Sequence, residues 1–298
     1  MNKDIKQNHR SGYAAILGLP NVGKSTLLNS LLDIRLAIIS ARPQTTRRNV
    51  LGILNNDNLQ CIFTDTPGVI KPKYELHKKM LRQIESAVSD ADLLLLIVDV
   101  SSRDHPVEID LKSLTPHISK VILVLNKIDL IGRQNLLPLI DLYKQWYPFN
   151  ALIPISAKQK NGINELIQEI EKNLPLGSPF YPKDMVTDQP ESFFVGELIR
   201  EQIFRSFHEE IPYSTEVMIK TFKERANNKD YIEAVIFVER ESQKGILIGH
   251  KGDKIKKLGE QARRVIEQFL NRDIYLDLKV RVNTSWRRDE SKLKQLGY

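Results

Sequence analysis

Only one cysteine, Cys61, occurs in the 298 residues. That excludes an intrachain disulfide framework and a cysteine-rich zinc cluster, and it suits a reducing compartment. No apolar run approaches the ~20 residues that a membrane-spanning helix needs. The longest, Leu93–Val98, has the length of a strand. The polar N-terminus lacks the apolar core of a secretory signal. Met1-Asn2 is not Met-Gly and Leu296-Gly297-Tyr298 carries no prenylation cysteine, so lipid attachment is not expected. Neither a Ser/His/Asp triad, nor a paired-carboxylate site, nor zinc-ligand spacing stands out. What remains is ordinary globular composition, 41% apolar and 27% charged, at a length that favours about two domains.

The net charge of +7 points to an anionic partner without proving one. Divided near residue 180, the chain has 22 basic and 17 acidic residues before and 22 and 20 after. The excess is not one basic tail, so a nucleic-acid site requires a local patch.

The most informative stretch is Gly18-Leu19-Pro20-Asn21-Val22-Gly23-Lys24-Ser25-Thr26. It fits G-x-x-x-x-G-K-[ST], follows a short apolar strand from Tyr13 to Leu17, and precedes leucines at helical spacing. Glycines let backbone N–H groups turn inward, and the N-terminus of the new helix adds partial positive charge toward phosphates. Lys24 is placed to reach the β- and γ-phosphates, and the Ser25 hydroxyl to sit on Mg²⁺.

Alternating strand and helix patterns follow, which predict a mostly parallel sheet covered by helices on both faces. Strands are expected at Val50–Leu54, Leu59–Phe63, Leu93–Val100, Val121–Leu125 and Leu152–Ile155. Helices are expected near His77–Val88, Val107–Leu114, Leu136–Trp146 and Ile163–Asn173. In such sheets a ligand lies beyond the carboxyl ends of the strands. Three further motifs fall there.

Asp65-Thr66-Pro67-Gly68 can hold Mg²⁺ through its Asp and offer the Gly68 N–H to the γ-phosphate, with Val69 adjoining. Asn126-Lys127-Ile128-Asp129 discriminates bases. The Asp129 carboxylate accepts from guanine N1–H and the exocyclic amine, an arrangement adenine cannot match. Asn126 is placed for N7 and for tethering the phosphate loop, and the Lys127 stem for the ring face. In Ser156-Ala157-Lys158, the Ala157 N–H is expected to face the base O6.

These pieces, in this order over roughly residues 12–175, resemble the translation-factor-like GTPases. The resemblance implies that Pro43–Arg47 is switch I, with Thr46 the Mg²⁺ ligand and Thr45 the runner-up, and that residues 65–74 are switch II. Lys24, Thr46, Gly68 and Asn21 are then the residues acting on the transferred phosphate. Mg²⁺ is held by Ser25, Thr46 and Asp65. Val69 stands where Ras-like relatives place a water-orienting Gln, so unassisted turnover of ~10⁻⁴–10⁻² s⁻¹ is expected. Asn21 is an αL-tolerant turn residue; in relatives with Asn here it also helps to hold K⁺.

The stretch Leu174–Pro182 breaks any helix and reads as an exit, with an irregular linker over 177–192. A different organisation follows: helix, two strands, a short helix from near Gly245, a longer helix to Leu270, a strand over Ile274–Val282 and a short terminal helix. Gly249-His250-Lys251-Gly252 lies between the two middle helices, where a glycine turn lets backbone approach sugar-phosphate. Lys254, Lys256, Lys257, Arg263 and Arg264 follow, against only Asp253 and Glu260. This resembles a type II KH domain, whose GXXG loop clamps about four nucleotides of single-stranded nucleic acid. The RNA contacts that the resemblance implies are Ile248, Gly249, His250, Lys251, Gly252, Lys254, Lys256, Lys257 and Arg263. Base choice in such a module comes from an apolar groove beside the loop, for which Ile246, Ile248, Ile255 and Ile236 are candidates.

The expected fold class is therefore α/β: a P-loop GTPase domain over 12–176 after a leader of 1–11, then an α+β type II KH domain over 193–298. The whole chain resembles the Era family of bacterial ribosome-assembly GTPases, including Thr187-Asp188, Val238-Glu239-Arg240-Glu241 and the closing Leu296-Gly297-Tyr298. That resemblance implies a monomer that binds GTP, GDP and single-stranded 16S rRNA near its 3′ end on the 30S subunit, in the cytoplasm with peripheral contact to the inner membrane. The alternatives are an RNA-binding module whose nucleotide site is chiefly a conformational switch, or a different potassium-stimulated regulatory GTPase.

Overall fold

The computed structural model describes residues 8–39, 42, 44–102, 120–226 and 228–298. The helix expected over Val107–Leu114 and the Pro43 start of switch I lie outside them. The described residues form two compact units. The first runs to Ala37 and takes in Thr46–Lys71 and Met80–Asp188; the second takes in Ile38–Thr45, Pro72–Lys79 and Gln189–Tyr298.

The first unit is built on a six-stranded sheet. Its elements are β1 (Arg10–Leu17), α1 (Lys24–Leu32), β2 (Val50–Asn55), β3 (Leu59–Asp65), α2 (Glu75–Ser89, from Met80 onward), β4 (Leu93–Asp99), β5 (Val121–Asn126), α3 (Arg133–Trp146), β6 (Ala151–Pro154) and α4 (Ile163–Asn173). The strand order is β2-β3-β1-β4-β5-β6, parallel except for the β2–β3 hairpin. Parallel interior strands bury both faces, which is why β4 reads Leu-Leu-Leu-Leu-Ile-Val without alternation. Ile84 and Val88 of α2 and Tyr143 of α3 pack on Leu94, Leu96, Val98 and Leu123. Leu27, Leu28 and Leu31 of α1 and Leu166 and Ile170 of α4 are likewise buried, the two helices packing on each other and on β3.

Two expectations at the borders need correcting. The loose leader does not extend to residue 11, because Arg10 already pairs with Leu59 in β1 and its guanidinium donates to the Leu174 carbonyl. His9 is buried, with Nδ1 2.9 Å from the Gly177 carbonyl. Nor is the start of the linker free. The Gln60 side chain, fully buried, accepts the N–H groups of Phe180 (2.6 Å) and Tyr181 (2.9 Å) and donates to the Tyr181 carbonyl (2.8 Å). Ile53 N–H then donates to the Val186 carbonyl at 2.9 Å, and the Thr187 hydroxyl to the Leu51 carbonyl at 2.7 Å. The strap covers β2, the edge of the sheet, which would otherwise present unpaired backbone.

The second unit contains α5 (Glu191–Ser206), α6 (Ile211–Ser214), β7 (Glu216–Lys223), β8 (Asp230–Val238), α7 (Glu241–Ile248), α8 (Asp253–Leu270), β9 (Ile274–Val282) and α9 (Glu290–Gln295). β8 pairs antiparallel with β7 and parallel with β9. Val195, Leu198, Ile199 and Ile203 of α5 pack with Ile232, Ala234 and Ile236 of β8 and Leu258, Ala262 and Ile266 of α8. Helix α7 begins four residues before Gly245. The reason is a cap: Gln243 Oε1 accepts the N–H groups of Glu239 (3.0 Å) and Arg240 (3.1 Å), holding the first turn. Helix α5 buries charge as well as apolar surface. Arg200, 1% exposed, is held by Glu197, and fully buried Glu201 by Arg205 at 2.7 Å. The closing residues seal this region: Tyr298 Oη donates to Glu216 at 2.7 Å, and buried Trp286 donates Nε1–H to the Ser214 carbonyl at 3.0 Å.

Candidate functional site

The phosphate loop joins β1 to α1, and its shape needs glycine at two places. Gly23 has φ +102°, where side-chain-bearing residues are strained. A Cβ on Gly18 would lie 2.5 Å from the Ile97 carbonyl oxygen. No side chain caps α1, so its first-turn N–H groups are free to receive an anion. Lys24, buried, donates to the carbonyls of Gly18 (3.1 Å) and Leu19 (2.9 Å) and lies over the loop. Burial lowers its ammonium to about 8, with Asp65 pulling the other way.

Oxygen ligands converge beside it. Ser25 Oγ donates to Asp65 Oδ2 at 2.7 Å and lies 3.0 Å from Thr46 Oγ1, which is 3.5 Å from the same Oδ2. Asp65 Oδ1 is buried with no hydrogen-bond partner among the described residues. Burial raises the carboxyl to about 6, against the attraction of Lys24 and the hydroxyls of Ser25 and Thr46. A buried carboxylate with an unused oxygen, flanked by two hydroxyls, is a hard-oxygen set that fits Mg²⁺. Thr45 is not part of it; its hydroxyl donates to the Arg42 carbonyl at 2.8 Å. Thr66 anchors the next loop through the Ile16 carbonyl (2.7 Å), and Val69 N–H donates to the Gly18 carbonyl (3.1 Å). A Cβ on Gly68 would stand 2.9 Å from Pro20, so this loop packs directly on the phosphate loop. Asn21 sits at φ +65°, as its turn role requires.

The base-recognition residues gather at the ends of β5 and β6. Asn126, buried, donates Nδ2–H to the Val22 carbonyl (2.8 Å) and accepts the Ala157 N–H on Oδ1 (3.0 Å). It therefore ties the phosphate loop to the Ser156-Ala157-Lys158 turn. The Ala157 N–H, expected to face a base oxygen, is directed at Asn126 instead. Asp129 is exposed on a short turn after Lys127 and has no partner among the described residues, which leaves both carboxylate oxygens available. Lys127 takes φ +68°, and its ammonium meets Asp99 Oδ2 at 2.6 Å. Asp99 was not singled out in the sequence. Its half-buried carboxyl would be raised by burial, but Lys127 and the hydroxyl and N–H of Ser101 hold it below its ordinary value. An Asp closing a wholly apolar strand, as here after Leu93–Val98, was the available signal.

In the second unit, Gly249-His250-Lys251-Gly252 forms a tight turn between α7 and α8. Gly249 (φ +74°, ψ −177°) occupies a region essentially restricted to glycine. Lys251 (φ 49°) and Gly252 (φ +82°) are also left-handed. His250 and Lys251 are exposed, and Ile248 is half-buried beside them. The basic residues of α8 do not form one patch. At about 100° per residue, Lys254, Lys257 and Arg264 share one flank with Gln261, whereas Lys256 and Arg263 lie on the other. That second flank borders β9, since a Cβ on Gly259 would lie 3.6 Å from Leu278. Ile236, a candidate for the apolar groove, is fully buried core; Ile246 is 42% exposed. No group of three or more His, Cys, Asp or Glu side chains that could hold a metal occurs among the described residues, so His250 has no such company.

A phosphate loop beside an oxygen set that fits Mg²⁺, tied through Asn126 to the turn after β5 and followed by a GXXG turn between helices on a three-stranded sheet, defines a P-loop GTPase carrying a KH domain. Residues 13–127 match a family described as 50S ribosome-binding GTPase, and residues 210–287 match the KH domain. GTPase Era of Syntrophus aciditrophicus is 46% identical over 97% of this chain and 95% of its own. A solved Aquifex aeolicus Era, a point variant bound to GDP·AlF₄⁻, is 39% identical with a TM-score of 0.93, covering 97% of this chain and 99% of that one. The same identity, coverage and TM-score hold for a solved Era in complex with MgGDPNP and nucleotides 1506–1542 of 16S ribosomal RNA. The chain belongs to the Era family of GTPases.

Proposed function

We propose that this GTPase binds 16S rRNA near its 3′ end through the 249–252 turn, in a manner set by its nucleotide, during assembly of the small ribosomal subunit. The observation that carries the reading is the pairing, in one chain, of an oxygen set beside the phosphate loop (Ser25, Thr46, Asp65) with a tight glycine turn between helices. A relative 39% identical over 97% of the chain holds MgGDPNP and that RNA together, which supports the same pairing here. Lys24, Thr46 and Gly68 act on the transferring phosphate. Mg²⁺ sits on Ser25, Thr46 and Asp65 and neutralises charge developing between the β- and γ-phosphates. Residues 18–26, 65–69, 126, 127, 129 and 156–158 line the nucleotide.

The γ-phosphate orders the segments at Thr46 and Gly68, and its loss releases them. Asn21 contributes to a K⁺ site that offsets the missing glutamine at Val69. Turnover equally slow in potassium and in sodium removes that role. The remaining parts of the reading are a monomer in the cytoplasm with weak peripheral hold on the inner membrane, checked by sedimentation and by flotation with anionic vesicles. The direct test of the RNA assignment is crosslinking to total RNA in the presence of GDPNP. Recovery of the 3′ region of 16S rRNA is expected, and recovery spread evenly over all RNA would overturn it.

A further inference from the structure

Helices α5 and α8 enclose a cavity of about 710 Å³ on the flank of α8 away from β9. Its charged lining is Arg205, Lys254, Lys257 and Arg264, and among the described residues no carboxylate lines it. Arg205 is engaged by Glu201, but Lys254, Lys257 and Arg264 are exposed and have no ion-pair partner among the described residues. The rest of the polar lining, such as Gln261 with Ser206 Oγ donating to its Oε1 at 3.0 Å, is neutral and hydrogen-bonding. From Lys254 to Arg264 the helix rises about 15 Å, enough for several consecutive phosphates. The track begins at Lys254, two residues past Gly252, and so adjoins the glycine turn.

We propose that the α5–α8 groove is a second RNA site, holding the phosphodiester backbone of the segment that continues from the nucleotides clamped at 249–252. The proposal rests on the reading that this turn binds RNA. It divides the basic residues of α8 by function. Lys256 and Arg263 serve the β9 side, where Glu267 already lies 4.0 Å from Arg263, and Lys254, Lys257 and Arg264 serve the groove. Guanidinium and ammonium groups among glutamines, without an anion to compete, suit backbone contact that is independent of sequence. The groove therefore adds affinity and salt dependence, and leaves base choice to the turn.

The test compares two RNAs on the full chain: the fragment 1506–1542 of 16S rRNA, and the tightest-binding of overlapping eight-nucleotide pieces of it. The variant Arg264→Glu, at a groove residue outside the contacts given to the turn, should bind the short piece as the parent chain does. It should bind the long fragment about tenfold more weakly near 150 mM salt, with a log–log salt slope lower by at least about 0.7–0.9 for the lost phosphate contact. Lys220→Gln/Lys294→Gln, which removes two exposed charges elsewhere in the same unit, should leave both affinities within twofold. A melting scan confirms that the variants fold. Unchanged long-fragment affinity and slope would overturn the groove as an RNA site and leave it to an acidic protein partner. An equal loss in the control pair would overturn it too, since net charge alone would then be felt. If no short piece binds the parent chain, the glycine-turn reading itself has failed, a result distinct from either.

Discussion

Replacing Asp129 with Asn tests the proposal that its carboxylate separates guanine from adenine. The carboxylate is exposed, partnerless among the described residues and carried on a turn fixed by Lys127 at φ +68° and its ion pair to Asp99. The isosteric amide therefore perturbs neither packing nor the turn. It does change what the base meets. A carboxylate accepts two N–H groups; an amide offers one acceptor and turns an N–H toward a donor. Each hydrogen bond to a charged group contributes ~1.5–3 kcal/mol and a neutral one ~0.5–1.5, so losing one bond and neutralising the other costs about 2.5–4.5 kcal/mol, or about 70- to 2,000-fold in affinity. Xanthine, whose 2-oxo group accepts where guanine donates, should recover much of that loss. Calorimetry with GDP and XDP on both proteins reads it. A GDP affinity within threefold of the parent, or no gain for XDP, would refute base recognition by Asp129.

Asp65, raised to about 6 from an ordinary 3.8, would have to ionise to hold Mg²⁺ in the role proposed for it. Affinity for the Mg²⁺ nucleotide should therefore fall up to about tenfold per pH unit below about 6, with proton release on binding near that pH. The sign for the ligand-free protein is opposite: the stability this group contributes is complete below its ordinary 3.8 and is lost as pH rises through about 6. Heats of binding in buffers of different ionisation enthalpy check the first part, and a flat profile from pH 5 to 7 contradicts it. Trp286→Ala, which empties a fully buried site and deletes a hydrogen bond, should destabilise the second unit by about 3–5 kcal/mol. Denaturant unfolding followed by far-UV signal reads this, and a loss under 1 kcal/mol would show that the closing residues are dispensable. Gly249→Asp should destroy the turn rather than merely repel RNA, because Gly249 combines φ +74° with a Cβ position 2.1 Å from Asp253. Lys251→Ala is therefore the cleaner probe of phosphate contact, with a several-fold loss of RNA affinity expected and none contradicting the clamp.

The parts legible in the sequence are those whose chemistry is local. The phosphate loop, the Asp65–Gly68 and Asn126–Asp129 turns and the 249–252 turn each need fixed residue types at short spacing, and runs such as Leu93–Val98 announce buried parallel strands. What was not legible depends on partners distant in sequence. Asp99 acquires its role only when β4 and β5 place it beside Lys127. The strap over β2 begins at one buried side chain, Gln60 of β3, reading backbone 120 residues away, and continues through Val186 and Thr187 on β2. The grouping of Ile38–Thr45 and Pro72–Lys79 with the second unit has no periodicity to announce it. Within it Arg42 donates to the Phe207 carbonyl and lies 2.7 Å from His208 Nδ1, while Arg287 lies 5.1 Å over the Tyr74 ring. The early start of α7 required the Gln243 cap, and the buried charges of α5 required Glu197 one turn before Arg200. Neither shows in an apolar pattern.

The most direct measurement titrates the 1506–1542 fragment into the protein loaded with Mg²⁺ and GDPNP, then with Mg²⁺ and GDP, under one salt condition. Tighter binding in the GDPNP state is expected on the proposal that the third phosphate orders the segments at Thr46 and Gly68. Equal affinity in both states would contradict a nucleotide-governed grip on RNA.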